Sequence, residues 1–186
     1  ILAWKTNHKV IYDSKETMKF WINNHPKLEK ISDFIWNGLD EKQVIVPSLE
    51  EVKQIRSEYF KVGNSDEIVI SLVGRINSWK GQQLLLKAFE KLASQYADIK
   101  LVYIGSAPPN QEFFEIDLKS KIEKYGLGNR VVIIPFQQSI WRFWHSIDIA
   151  VVPSTEPEPF GMVAIEAMIS KKPVVAAGHG GLTEIV

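Results

Sequence analysis

From residue 67 onward this chain alternates short, continuous apolar runs with amphipathic segments, and that alternation leaves few folds open. Residues 67–73 form a β-rich run ended by Gly74. The stretch 80–96 then carries Leu84, Leu85, Ala88, Phe89, Leu92 and Ala93 at the spacing of one helix face. A second apolar run, 100–104, ends at Gly105 and the turn-rich Ser106-Ala107-Pro108-Pro109-Asn110. The spacing of Phe113, Phe114, Leu118 and Ile122 predicts a helix over 111–125, closed by Gly126. Next come an apolar run at 131–134, a short Trp-bearing helix near 139–146, a strand at 147–152, a helix at 161–170 and a strand at 173–177. Strands that are apolar throughout are buried on both faces, and the helices between them supply the cover. The expected fold is α/β, a Rossmann-like doubly wound parallel sheet within residues 48–186.

Residues 1–47 read differently. They hold Trp4, Trp21 and Trp36, show no clear strand–helix alternation, and are expected to be the end of a preceding domain or an interdomain connection. The three tryptophans are expected to be packing residues. Asp13 with Glu16, and Ser48 with Glu51, have the form of helix-start boxes. Ile1 is not an initiator and the tail runs into an apparent helix start, so the chain is expected to be a piece of a longer protein. The 22 basic residues balance 22 acidic ones, which argues against a nucleic-acid binder or a surface held to a membrane by charge. The absence of cysteine removes disulfide and thiolate chemistry and fits the cytoplasm. No apolar run reaches the 18 or so residues that a membrane span needs.

Ligands of open α/β sheets bind at the carboxyl ends of the strands. Gly74-Arg75-Ile76-Asn77-Ser78-Trp79-Lys80-Gly81 would lie there, after the first strand. Arg75 offers a planar fork of donors to phosphate oxygens and Lys80 a mobile point charge. The bland alternative is a pair of solvated surface cations. The segment is neither a P-loop nor Gly-x-Gly-x-x-Gly, so a dinucleotide pyrophosphate on this turn is disfavoured. Gly105-Ser106-Ala107-Pro108 closes the second strand and is a lesser candidate contact. Phe136 follows the third strand and could flank a base, although a buried aromatic is the favoured reading. Trp141 and Trp144 are expected in the core. His8, His25, His145 and His179 are isolated, and no His/Asp/Glu cluster suggests a metal site. Gly180-Gly181 after the last strand fits a tight turn better than a backbone contact to phosphate.

The sharpest chemical signal is Glu158-Pro159-Phe160-Gly161-Met162-Val163-Ala164-Ile165-Glu166. Its two carboxylates are expected at a helix mouth and about two turns deeper on the same face, with the open N–H groups of the helix start between them. Two solvated helix-end carboxylates are the alternative. Glu166, however, falls among Val163, Ala164, Ile165, Ala167 and Met168, where a carboxylate should be paired, hydrogen-bonded or facing a ligand.

These residues together resemble the nucleotide-binding half of retaining glycosyltransferases of the GT-B fold, family-4 type. The matching features are Gly74-Arg75 with Lys80-Gly81, Asp148 ahead of Val151-Val152-Pro153-Ser154, and Glu158-Pro159-Phe160-Gly161 with Glu166-Ala167-Met168. Pro173-Val174-Val175 and Gly180-Gly181-Leu182-Thr183-Glu184-Ile185-Val186 complete the series, and Asn37-Gly38-Leu39-Asp40 resembles the segment that precedes this domain. The resemblance implies a UDP- or GDP-sugar donor. It assigns the diphosphate to Arg75 and Lys80, with Gly74 alongside, and the distal phosphate to the amides near Gly161, Met162 and Val163. Sugar hydroxyls fall to Glu158 with the Pro159–Gly161 backbone, ribose hydroxyls to Glu166, and the base to the surroundings of Phe136. It further implies retention at the anomeric carbon without a protein nucleophile, and no metal or other cofactor.

The acceptor, a glycan or lipid-linked sugar, is implied to sit mainly on a preceding domain. That domain would also supply a Gly-rich loop, a catalytic-side histidine and any peripheral contact with the inner membrane face. A cytoplasmic enzyme of bacterial surface-polysaccharide or glycolipid synthesis is the implied role. This chain by itself is then expected to bind donor weakly and not to turn over. The rivals are another GT-B enzyme, such as a sugar-nucleotide epimerase or a phosphorylase, and a non-catalytic sugar-nucleotide-binding protein.

Overall fold

The structure is a computed structural model that describes residues 8–63 and 66–186. Trp4 lies outside the described residues. The main body is one five-stranded parallel sheet of β3 (Ile68–Val73), β4 (Ile99–Ile104), β5 (Val131–Ile134), β6 (Ile149–Val152) and β7 (Val174–Ala176), in the order β5-β4-β3-β6-β7. Strand order reverses between β3 and β6, which pair through Ile70 with Ile149 and Ser71 with Ala150. Each crossover is helical: α3 (Gln82–Ala93), α4 (Phe113–Lys124), α5 (Trp141–Ser146) and α6 (Met162–Ile169). The doubly wound parallel sheet expected from the alternation is present, with strand ends within two residues of those read from the sequence.

Two apolar cores lie against the sheet. One gathers Leu72, Leu85, Leu86, Phe89, Leu101, Leu118 and Ile122, and the other Phe60, Val69, Val102, Trp144, Ile147 and Ala167. Trp141 and Trp144 are buried in the second, as expected. The buried face of α3 is Gln82, Leu85, Leu86 and Phe89, not the Leu84-centred face, and Leu84 is 54% exposed. Three consecutive leucines leave the phase open to periodicity. It is set by Gln82, whose side chain donates to the Arg75 carbonyl (2.8 Å) and whose own carbonyl accepts from the buried Tyr103 hydroxyl (2.8 Å). Phe113 is likewise exposed, so α4 is buried through Leu118 and Ile122.

The first segment has more order than its sequence suggested. β1 (Val10–Tyr12) and β2 (Ser32–Phe34) pair in parallel, with α1 (Lys15–Asn24) between them. β2 is Ser-Asp-Phe, so no second apolar run follows β1 to reveal the pair. Ser14, not Asp13, caps α1: it has extended backbone angles and its Oγ accepts from Thr17 N at 3.1 Å. Ser48 and Glu51 form the reciprocal capping box at the start of α2 (Leu49–Gln54). Trp21 stacks on His25 and Trp36 packs against Phe34, but neither enters the core. Both are exposed, and the Trp36 indole donates to Glu184.

Candidate nucleotide-sugar site

The strand-order reversal leaves a crevice at the carboxyl ends of β3 and β6, the position where open α/β sheets bind ligands. A cavity of about 510 Å³ opens beside it. Gly74 and Arg75 line it after β3, Gly105 and Ser106 after β4, and Phe136 after β5, with Glu166 reaching in from α6. Gly74 and Gly105 bring two strand ends into close contact. A Cβ on Gly105, whose φ is +148°, would stand 2.0 Å from the Gly74 carbonyl oxygen. Gly105 thus builds the cavity wall, and Ser106 holds it by accepting from Phe136 N at 3.0 Å.

Phe136 is 71% exposed at this cavity, so the buried-aromatic reading does not hold. Its backbone continues outward past the end of β5, and its ring is left as an open apolar face beside the pocket. Arg75 is exposed and lines the same cavity.

The two glutamates diverge. Glu158 is 5% exposed and does not line the cavity, so neither the shared face nor the solvated pair is observed. Its Oε1 accepts from Lys80 Nζ at 2.6 Å and from Ser154 Oγ at 2.5 Å. Lys80 lies in the loop after β3 and Glu158 in the loop after β6, so this buried ion pair bridges the crevice. The Lys80 stem runs past Gly74, its Cδ 3.9 Å from where a Cβ would stand.

Glu166 sits in the second turn of α6, and its Oε2 accepts from the buried Trp144 indole N–H at 3.2 Å. Burial raises its pKa above the ordinary 4.5, partly countered by the Trp144 bond. A carboxyl whose pKa is raised on folding contributes stability that is complete below about pH 4.5 and is lost as pH rises through the folded value. Glu166→Gln should therefore remove a fall in stability that sets in as pH rises above about 4.5. Urea unfolding at several pH values measures that slope.

Between the glutamates, Gly161 caps α6 with φ +111° and no side-chain cap bond. Among the described residues, no backbone hydrogen bond uses the N–H groups of Phe160, Gly161, Met162 or Val163. A helix start with open amides attracts anions. Phe160 is buried, whereas the Pro159 carbonyl accepts from Ser14 Oγ and Thr17 Oγ1. Gly181 N donates to the Glu158 carbonyl at 2.8 Å, so this glycine serves the turn. Asp148 is structural: Oδ2 accepts from Arg56 (2.9 Å) and from Val69 N (2.7 Å). Burial, then the charges of Lys172 and Lys171, hold His145 below its ordinary pKa. Among the described residues, no three His, Asp or Glu side chains converge on a metal-sized site.

Residues 55–186 match the family "Glycosyl transferases group 1". The chain belongs to that family. Among curated relatives, the Salmonella typhimurium lipopolysaccharide 1,2-N-acetylglucosaminetransferase is 34% identical over 125 residues, 65% of this chain and 33% of that protein. Among solved structures, Anabaena Alr3699/HepE in complex with UDP and glucose superposes with a TM-score of 0.89 at 29% identity, covering 100% of this chain and 48% of that one. The C-terminal domain of the Francisella tularensis glycosyl transferase group 1 protein LpcC gives 0.67 at 32% identity, over 80% of this chain and 75% of that one. The chain thus spans about a third of the curated relative and about half of the Anabaena protein.

For a glycosyltransferase chain this site has three parts, of which Arg75, Phe136 and Glu166 share one cavity. The Lys80–Glu158 pair and the α6 start stand beside it. Sequence reasoning missed Ser154 and Trp144 as partners of the two glutamates. Ser154 lies only four residues before Glu158 in the same loop and was locally legible, whereas Trp144 comes from α5 and leaves no local signal.

Proposed function

We propose that the protein containing this chain transfers a sugar from a UDP- or GDP-sugar to a glycan or lipid-linked acceptor, with retention of anomeric configuration. The observation that carries this reading is the convergence of Arg75, Phe136 and Glu166 on one cavity at the strand-order reversal, beside an anion-attracting helix start. Phe136 offers its ring to the base, Glu166 accepts from ribose hydroxyls, and Arg75 with Lys80 takes the diphosphate. The amides of Gly161, Met162 and Val163 hold the distal phosphate. The Anabaena protein's bound UDP and glucose support a uridine nucleotide.

As the bond from sugar to phosphate breaks, negative charge grows on the diphosphate. Preorganised cations and amides stabilise it in place of a metal. Glu158 keeps Lys80 aimed at that charge and meets the sugar rather than attacking it. Residues 1–47 are the end of a preceding acceptor-binding domain in this proposal. No described helix is long and apolar enough to cross a membrane. The proposed setting is the cytoplasmic face of bacterial surface-polysaccharide or glycolipid synthesis, with peripheral membrane contact through the preceding domain.

The test uses full-length protein, radiolabelled UDP- and GDP-sugars and a lipid-linked acceptor. Arg75→Ala should lower transfer by about 10²–10³. It should change stability by less than about 0.5 kcal/mol, because the side chain is exposed. Undiminished transfer would sink the diphosphate assignment. Donor binding or hydrolysis with no transfer to any acceptor would favour a sugar-nucleotide-binding protein.

A further inference from the structure

The loop that carries Glu158 is gripped from outside the five-stranded sheet. The Pro159 carbonyl accepts from Ser14 Oγ at 2.5 Å and from Thr17 Oγ1 at 3.0 Å, across 145 and 142 residues of chain. Ser14 is fully buried, although α1 as a whole has no buried residue. Two hydroxyl donors occupy both lone pairs of that carbonyl, which fixes the peptide plane between Pro159 and Phe160.

The opposite flank of the loop is held as well. Glu158 makes an isolated parallel bridge with Gly180, and its carbonyl accepts from Gly181 N at 2.8 Å. Gly181 packs so closely that a Cβ there would stand 2.5 Å from the Pro159 oxygen. The two flanks are in turn joined. The Glu184 carboxylate accepts from Glu16 N (2.8 Å), Lys15 N (3.2 Å) and the Trp36 indole (2.7 Å). Charge-assisted bonds to the first amides of a helix are among the stronger polar contacts. These contacts close a ring that runs from α1 through Pro159 and Gly181 to Glu184 and back to α1.

We propose that Ser14 and Thr17 are positioning residues for transfer: their hydroxyls hold the Pro159 carbonyl so that Glu158 and the amides of Phe160 to Val163 stay aligned on the sugar end of the donor. This rests on the site reading under Proposed function. The base and ribose contacts at Phe136 and Glu166 lie in the main cavity, apart from this clip. The clip therefore acts on the sugar-phosphate end and leaves the nucleoside end alone. Residues 14–17 precede the family-matched region of residues 55–186, so a shift of α1 moves the sugar end of the site directly.

The experiment uses full-length protein with Thr17→Val, Ser14→Ala, the double variant, and Thr17→Ser as the conservative control. Thr17→Val keeps the side-chain shape and leaves the Ser14 cap on Thr17 N intact. Measured quantities are kcat and KM for the UDP-sugar, Kd for UMP, which lacks the distal phosphate, and hydrogen exchange of the peptide covering residues 164–168, whose amides are bonded in α6. Expected results are a fall in kcat of about threefold for Thr17→Val and about tenfold or more for the double variant. UMP affinity should stay within about twofold and Thr17→Ser should recover most of the rate. Exchange over residues 164–168 should rise in the variants that lose a hydroxyl.

Equal losses in kcat and UMP affinity, or an unchanged kcat in a folded double variant, would overturn the positioning role. A wild-type protein that neither binds nor transfers a UDP-sugar would sink the function reading instead. In that case hydrogen exchange decides the clip alone: a rise in the variants supports it, and an unchanged 164–168 peptide removes it.

Discussion

Glu158→Ala is expected to lower both stability and transfer more than any other single change at the site. The carboxylate is 5% exposed and holds Lys80 Nζ at 2.6 Å and Ser154 Oγ at 2.5 Å. Removing one partner of a buried ion pair leaves the other charge uncompensated, at a cost of about 3–5 kcal/mol. Lys80 then loses its aim past Gly74. If its charge serves the leaving diphosphate, transfer should drop by about 10²–10³. Glu158→Gln separates the two effects. It keeps the shape and one acceptor for Ser154, so stability should recover in part while Lys80 stays unpaired. Urea unfolding of each variant, of Lys80→Met and of the double mutant gives the coupling energy of the pair. A coupling near zero would contradict the buried bridge.

The second large effect is expected at Gly81, which caps α3 with φ +84°. A Cβ there would lie 2.1 Å from the Pro153 carbonyl oxygen and 2.7 Å from its carbon. Both atoms belong to the backbone of the loop after β6 and cannot rotate away as a flexible side chain would. Gly81→Ala thus combines left-handed strain with a collision between the two loops that form the crevice. Together these should cost about 3–5 kcal/mol. For a chain of this size the melting temperature should fall by about 10 °C. Gly126→Ala is the control: its φ is +67°, but nothing lies within 4 Å of the added carbon. Only the strain of about 1 kcal/mol should be seen there. Equal losses at both positions would show that conformation, and not the loop contact, governs Gly81.

Much of the fold was legible because the elements after residue 67 are long enough to show their period. β3 and β4 are six apolar-rich residues each, and α3 and α4 are twelve. The same logic failed where period alone cannot choose. In Leu84-Leu85-Leu86 any phase is apolar, and the buried face was decided by Gln82 bonding to Arg75 and Tyr103. β2, as Ser-Asp-Phe, offers no apolar run to pair with β1, whereas the equally short β7 continues an alternation already established. Phe136 was misjudged because residue type favours burial, whereas its position past the strand end exposes the ring.

By itself the sequence determined the order of strands and helices, the helix start between Glu158 and Glu166, and the set of residues that mark the family. Those are local properties, written in hydrophobic period, turn residues and spacing. The partners of each acid were decided only by tertiary structure. Lys80 meets Glu158 across 78 residues because β3 and β6 are neighbours in the sheet, and Trp144 meets Glu166 because α5 packs on α6. The same packing parts two glutamates eight residues apart in sequence, turning one into a buried bridge and the other into a cavity wall. A hydrogen bond forms only where the fold brings donor and acceptor within about 3 Å, and no local pattern encodes that distance.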